Sequence, residues 1–141
     1  MNHGSNVEPN GPAFFMARRQ KVIAVVDDDP GLRKALGRLL SAFGYRTEMF
    51  ASAGEFLSAA PTSKAACIVV DIELGDTSGL ELVRQLSASG LRFAVIFMSG
   101  AEDETILKRA MDLGCIAYLR KPFRPARLIE ALKEATGSNR Q

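Results

Sequence analysis

Three consecutive aspartates, Asp27 to Asp29, follow the apolar run VIAVV of residues 22–26. Two carboxylates about 4 Å apart repel each other by about 4 kcal/mol at an effective dielectric constant near 20, so such a group favours a bound cation. Oxygen ligands without histidine or thiolate suit Mg²⁺. The run therefore predicts a Mg²⁺ site. The alternative is that these aspartates cap the following helix, a role that fits Asp29 best.

Three further polar residues follow or end apolar runs. Asp71 ends AACIVVD, Ser99 follows RFAVIFM, and Lys121 closely follows IAYL. A carboxylate held beside Mg²⁺ can attack phosphorus and form an aspartyl phosphate. The Ser99 hydroxyl and the Lys121 ammonium could each contact a phosphoryl oxygen. Singly, such a serine is more often a turn residue and such a lysine more often solvated, but together the three predict a phosphoryl-transfer site.

The elements that position these residues alternate between short apolar runs and amphipathic segments. This pattern predicts a doubly wound α/β fold, a five-stranded parallel sheet with five helices on its two faces. The predicted strands are 21–26, 46–50, 66–70, 92–98 and 116–119. The predicted helices run from Pro30 to a cap at Gly44, from Ser52 towards Pro61, onward from Gly79, over 102–113, and from Pro125 to Thr136. Ligands of such sheets bind beyond the carboxyl ends of the strands, where the polar residues stand.

The predicted folded domain covers residues 20–137. Residues 1–19 are rich in Asn, Gly and Pro without a helical or strand period, which predicts a flexible N-terminal arm, and residues 138–141 form a short tail. No second domain is expected after Gly137.

Composition excludes several classes of function. The net charge of +2 is too small to indicate a nucleic-acid-binding face. No apolar run or leader pattern suggests a membrane helix or secretion, so we expect a cytoplasmic protein without membrane contact. His3 is the only histidine, which argues against histidine chemistry. Cys67 and Cys115 adjoin apolar segments and are expected to be buried, reduced thiols.

Four motifs, VVDDDP, VVDIELGDTSGLEL, VIFMSGAED and AYLRKPF, occur in this order, at or just beyond the ends of the predicted strands. As a set they resemble the receiver domain of two-component response regulators, including the stand-alone chemotaxis regulator. The resemblance covers Lys21 to Thr136. It implies a flavodoxin-like sheet with strand order 2-1-3-4-5.

The resemblance also implies a role for each matching residue. Asp71 resembles the phosphoacceptor, Ser99 the switch hydroxyl and Lys121 the phosphate partner, with a cis bond between Lys121 and Pro122. Tyr118 resembles the aromatic residue that swings inward on activation, although a strand tyrosine that simply packs is the alternative. The implied Mg²⁺ ligands are Asp28 directly, Asp27 partly through water, Asp71, and the backbone carbonyl of Glu73.

The resemblance implies a signalling module rather than an enzyme, one that assists only its own phosphorylation and dephosphorylation. A phosphohistidine of a histidine kinase or phosphotransfer protein would donate to Asp71. Output would pass to a downstream protein, or to a second copy in a homodimer, through the face formed by the fourth helix, fifth strand and fifth helix, without direct nucleic-acid contact. The alternative is a receiver fragment of a longer DNA-binding regulator.

Two other classes are less favoured. A phosphatase of the haloacid dehalogenase type would need a second aspartate two residues after Asp71, where Glu73 stands. A flavodoxin-like cofactor binder would cradle phosphate after the first strand, where three aspartates would repel it.

Three residues depart from the family pattern. Ser99 stands where threonine is commoner, so a methyl group that biases the switch is lost. Gly75 replaces the usual proline, which predicts a looser loop after Asp71. Glu73 places an acid where the family tunes the lifetime of the phosphoryl group.

Overall fold

The computed structural model describes residues 21–137. Five parallel strands form one sheet in the order β2-β1-β3-β4-β5, which confirms the predicted topology. Their bounds are β1 Val22–Val26, β2 Arg46–Phe50, β3 Ala65–Asp71, β4 Ala94–Ser99 and β5 Ala117–Arg120.

Five α-helices connect or follow the strands, as predicted. They are α1 Pro30–Ala42, α2 Ala53–Ala59, α3 Gly79–Ala88, α4 Glu104–Asp112 and α5 Pro125–Thr136, with a 3₁₀ turn at Ala60–Thr62 after α2. Polar side chains cap four of the N-termini. Asp29 accepts from backbone amides at the start of α1, Ser52 at α2, Ser78 at α3 and Asp103 at α4. These bonds satisfy amides that have no partner within the helix.

The sheet separates two hydrophobic layers. Alternate residues of the buried strands face opposite sides, since side chains alternate along a strand. Ile23 and Val25 pack with α1 and α5, whereas Ala24 and Val26 pack with α2, α3 and α4. Helices cover both faces of the sheet, so the central strands reach solvent only at their ends. Functional groups therefore collect at the strand ends.

Apolar residues at helical spacing are not all buried. Phe43 caps the C-terminus of α1 and is 45% exposed, and on α4 Leu107 and Met111 are 40% and 57% exposed. Of the apolar residues at helical spacing on α4, which are Ile106, Leu107, Ala110 and Met111, only Ala110 is fully buried. A helical period shows which residues share a face but not how wide the contact with the sheet will be.

The two cysteines also differ from each other. Both are free thiols, but Cys67 is buried within β3 and Cys115 is only half-buried ahead of β5. The prediction that both are buried was therefore wrong for Cys115. Burial raises the pKa of the Cys67 thiol to about 12.

The predicted arm over residues 1–19 and tail over residues 138–141 lie outside the described residues. Between residues 21 and 137, none of the helices combines the length and the apolar character needed to cross a lipid bilayer.

Candidate functional site

The strand register brings the ends of β1, β3 and β4 side by side. Val26 pairs with Val70, so the residues that follow them, Asp27 and Asp71, emerge from neighbouring strands. Asp71 pairs in turn with Met98, the residue before Ser99. Asp27 and Ser99 are completely buried, and Asp71 is 4% exposed. Three polar side chains are thus held at the edge of the apolar core.

Lys121 joins the two buried carboxylates. Its Nζ lies 2.9 Å from Asp71 Oδ2 and 3.3 Å from Asp27 Oδ2. The chain reaches this position through the β5–α5 turn, where the Lys121 amide donates to the Ser99 carbonyl and the Lys121–Pro122 bond is cis, as the resemblance predicts. The lysine predicted to contact phosphate therefore also neutralises the acids around it.

Each carboxylate is held in place by a backbone amide as well. The Asp29 amide donates to Asp27 Oδ1, and the Glu73 amide donates to Asp71 Oδ1, both at 2.9 Å. The Arg33 guanidinium donates to the Asp27 carbonyl, which fixes the turn into α1. The carboxylate oxygens are therefore preorganised by the fold.

Burial and charge shift the pKa values of the central pair. Desolvation raises the pKa of Asp71 above its usual 3.8, although the hydrogen bonds from Lys121 and Glu73 oppose the rise. Burial alone would lower the pKa of Lys121, but the Asp71 hydrogen bond and the charges of Asp27 and Asp71 outweigh it. The pKa of Lys121 thus lies above 10.5, and the ammonium keeps its proton.

Three of the acids at this edge of the sheet lie close enough together to hold a cation. Asp27, Asp28 and Asp71 each offer a carboxylate oxygen, and these oxygens lie within 4.8 Å of one another. Asp28 is exposed, and Lys121 contacts only one oxygen each of Asp27 and Asp71. The three acids predicted to hold a metal are therefore brought together, whereas Asp29 turns away and caps α1.

Ser99 and Glu73 are linked through their side chains. The Ser99 hydroxyl donates to Glu73 Oε2 at 2.6 Å, and the Gly100 amide donates to Glu73 Oε1 at 2.9 Å. The Ala101 amide donates to Ser99 Oγ at 3.1 Å. Sequence reasoning singled out the backbone carbonyl of Glu73 but missed this side-chain bond and the part played by Gly100, because no spacing signal joins residues 26 positions apart.

The loop after Asp71 is tied to its surroundings. The Asp76 carboxylate accepts from the amides of Ala53 and Gly54 at the start of α2. These amide bonds, that of Gly54 above all, hold the pKa of Asp76 below 3.8. Gly75 lies against Asp28, where a side-chain carbon would come within 3.3 Å of Asp28 Oδ2. Asp76 therefore ties this loop to the start of α2, a contact that sequence reasoning missed.

Gly79 allows α3 to approach the end of β3. A methyl group at this position would lie 2.5 Å from the Asp71 carbonyl oxygen and 2.8 Å from a Val70 methyl. The Gly79 amide donates to the Ile72 carbonyl at 2.9 Å, which closes the loop. Gly79, the residue from which the sequence predicts the third helix, is thus needed for space.

Tyr118 lies in β5 beside the β4–α4 loop. Its hydroxyl is buried and has no hydrogen-bond partner among residues 21–137. A cavity of about 390 Å³ opens beside it, lined in part by Glu102, Leu107 and Arg120. Arg120 pairs with Glu102 at 2.8 Å, so β5 is connected to the loop that follows Ser99.

Comparison with known proteins matches this geometry to one family. The family model described as the response regulator receiver domain matches residues 23–133. The transcriptional regulatory protein FixJ of Azorhizobium caulinodans is 38% identical over 115 residues, which are 82% of this chain and 54% of FixJ. The chain spans about half the length of the curated relatives it matches.

Solved structures of receiver domains share the fold of this chain. A CheY-like response regulator receiver domain protein from Methanospirillum hungatei superposes with a TM-score of 0.78 at 28% identity, covering 84% of this chain and 95% of that one. The BeF3-activated receiver domain of DrrB gives a TM-score of 0.74 at 28% identity, covering 84% of this chain and 98% of that one.

Proposed function

The chain belongs to the response regulator receiver family, a family of signalling domains in two-component systems, and from this premise we propose that it is a switch operated by phosphorylation of Asp71. The observation that carries the proposal is the contact of Lys121 with both Asp71 and Asp27 at the ends of β3 and β1. This contact places the positive charge of Lys121 beside the buried carboxylate of Asp71, the proposed nucleophile.

The proposed donor is the phosphohistidine of a histidine kinase or phosphotransfer protein. A carboxylate oxygen of Asp71 attacks phosphorus, an O–P bond forms, and the P–N bond breaks with its electron pair left on the imidazole nitrogen. The Lys121 ammonium, 2.9 Å from Asp71 Oδ2, is placed to pair with negative charge on the phosphoryl oxygens. The Ser99 hydroxyl, at the end of the adjoining strand β4, is the second proposed donor to these oxygens.

The acids that meet at this edge fit Mg²⁺, because all of them are hard oxygen donors and Asp28 faces solvent. We propose that Asp27, Asp28 and Asp71 hold the ion together with the backbone carbonyl of Glu73. Mg²⁺ bound there would neutralise part of the charge on the phosphoryl group. Replacement Asp28→Ala is expected to weaken Mg²⁺ binding at least about tenfold by isothermal titration, and an unchanged dissociation constant would contradict this ligand assignment.

A partner that donates phosphate must dock beside Lys121. An apolar cleft of about 550 Å³ adjoins this lysine, between Leu32, Leu36 and Leu39 of α1 and the turn at Pro122 and Phe123. This cleft is the proposed contact surface for the phosphohistidine donor. We place the switch in the cytoplasm, since its two free thiols suit a reducing compartment.

Output is proposed to pass through α4, β5 and α5. Phosphorylation would draw Ser99 towards Asp71 and repack Tyr118, whose buried hydroxyl has no hydrogen-bond partner among residues 21–137. The half-exposed Leu107 and Met111 provide apolar area on this face for a downstream protein or a second copy of the chain. The chain matches only about half of FixJ, a transcriptional regulatory protein. A second candidate is therefore that the chain is the receiver part of a longer transcriptional regulator.

The decisive experiment is phosphorylation by radiolabelled acetyl phosphate with Mg²⁺. We expect stoichiometric labelling of the wild type and none of Asp71→Asn. The matched control is Asp76→Asn, which changes an exposed acid of the same loop and should keep its label. Stoichiometric labelling of Asp71→Asn would refute the acceptor assignment.

A further inference from the structure

The Glu73 side chain occupies two hydrogen-bond donors at the end of β4. The Ser99 hydroxyl donates to Oε2 at 2.6 Å and the Gly100 amide to Oε1 at 2.9 Å. Ser99 is completely buried, whereas Glu73 reaches it from an exposed position in the β3–α3 loop. Both bonds run from neutral donors to an ionised acceptor, the stronger kind of hydrogen bond.

The two donors stand at the end of β4, the strand beside Asp71. Asp71 pairs with Met98, so the hydroxyl and amide that follow Met98 lie at the next step of the neighbouring strand. A carboxylate with two oxygens satisfies them in the same manner as two phosphoryl oxygens would. Glu73 therefore holds, in the resting protein, the Ser99 hydroxyl that phosphorylation is proposed to draw towards Asp71, together with the adjoining Gly100 amide.

The two arrangements exclude each other at Ser99. A serine hydroxyl carries one proton and makes one donor bond at a time. It can donate to Glu73 or to a phosphoryl oxygen, but not to both. One of its two acceptor lone pairs receives the Ala101 amide.

We propose that the Glu73 carboxylate is an internal competitor of the phosphoryl group, and that it must leave Ser99 and Gly100 before the switch can close. The inference rests on the proposed function of Asp71. Departure is sterically simple, because the Glu73 side chain is exposed and its backbone amide can keep its bond to Asp71 Oδ1. Glu73 thus sets the threshold for switching through Ser99 and is a positioning residue.

The test uses beryllofluoride as a non-covalent phosphoryl analogue, at saturating Mg²⁺ confirmed for each variant by separate titration. Glu73→Ala removes the competitor, and Glu73→Gln leaves a neutral amide oxygen that can accept one bond. Glu102→Gln is the matched control, because it removes an acid from the β4–α4 loop that pairs with Arg120 instead of Ser99. Hydrogen exchange of the Gly100 amide without beryllofluoride provides a second readout.

We expect Glu73→Ala to bind beryllofluoride about tenfold more tightly than wild type, a change of about 1.4 kcal/mol. Glu73→Gln should be intermediate, and Glu102→Gln should differ from wild type by no more than about twofold because its charge is screened by solvent. The Gly100 amide should exchange faster in Glu73→Ala than in wild type and Glu102→Gln.

If Glu73→Ala and Glu102→Gln strengthened beryllofluoride binding equally, the effect would come from the loss of a negative charge at either position, and the proposal would be overturned. Unchanged beryllofluoride affinity in Glu73→Ala would overturn it too, while leaving Asp71 as acceptor if the wild type still binds the analogue. A wild type that neither takes label from acetyl phosphate nor binds beryllofluoride would refute the proposed function, and the competitor with it.

Discussion

Gly79 ties the stability of the fold to the geometry of Asp71. We predict that Gly79→Ala destabilises the protein, because the added methyl would lie 2.5 Å from the Asp71 carbonyl oxygen and 2.8 Å from Val70. Ordinary carbon–oxygen contacts are about 3.3 Å or longer, so α3 and the end of β3 must separate by roughly 0.8 Å. The neighbours are backbone and a β-branched side chain, which cannot turn aside.

The size of the effect follows from two opposing contributions. Overpacking of this kind costs about 1–3 kcal/mol. Alanine regains up to about 1 kcal/mol of helix preference, less at the first residue of a helix. The net loss of about 1–2 kcal/mol corresponds to a fall in melting temperature of roughly 5–10 °C for a domain of this size.

The assay is thermal unfolding in EDTA, together with the initial rate of labelling by acetyl phosphate measured on separate folded samples with Mg²⁺. Gly54→Ala is the matched control, because its methyl would lie an ordinary 3.6 Å from Asp76 Oδ2. This control should be as stable as wild type or slightly more so. If Gly79→Ala has the same melting temperature as Gly54→Ala and is labelled at the wild-type rate, the argument that α3 approaches β3 too closely for a methyl group is refuted.

Three other predictions use the pKa shifts. Burial raises the pKa of folded Asp71 above 3.8, so ionised Asp71 destabilises the folded protein above the folded pKa, and this cost vanishes below 3.8. In EDTA, Asp71→Asn should therefore raise the melting temperature at pH 7, by an amount that shrinks towards pH 4. An advantage that is constant with pH would contradict this cause. Cys67, with a pKa of about 12, should resist iodoacetamide at pH 8 until the protein unfolds, whereas the half-buried Cys115 should react first. Alkylation of two thiols per molecule of folded protein would show that Cys67 is accessible. Amide hydrogen bonds lower the pKa of Asp76, so its contribution is fully present above pH 3.8 and is lost as the pH falls through the folded pKa; Asp76→Ala should cost about 0.5–1 kcal/mol by urea unfolding at pH 7 and less at pH 2.5. Equal losses at both pH values would exclude the carboxylate as the cause.

Local patterns were sufficient for the elements and for the side of the sheet on which the chemistry lies. The apolar runs before Asp27 and Asp71 predicted strands, and parallel strands place their carboxyl ends at one edge. The bounds were less certain, since Asp71 and Ser99 proved to be the last residues of β3 and β4 rather than the first residues beyond them. Strand ends depend on partners that are distant in sequence.

The extent of burial could not be predicted from period alone. Leu107 and Met111 share the helical stripe of Ala110, yet only Ala110 reaches the sheet fully. The width of a helix contact depends on the angle and distance at which the helix packs, and both are properties of the assembled layers.

The sequence by itself determined the kinds of groups at this site: hard oxygen donors, one hydroxyl and one ammonium, each at the end of a buried strand. Only the tertiary structure decided which of them touch, namely that Lys121 joins Asp27 to Asp71 and that the Glu73 carboxylate takes the Ser99 hydroxyl and the Gly100 amide. Side-chain bonds between loops are directional and short, so sub-ångström differences in loop path decide them, whereas strand and helix periods repeat along the chain and can be read from residue types.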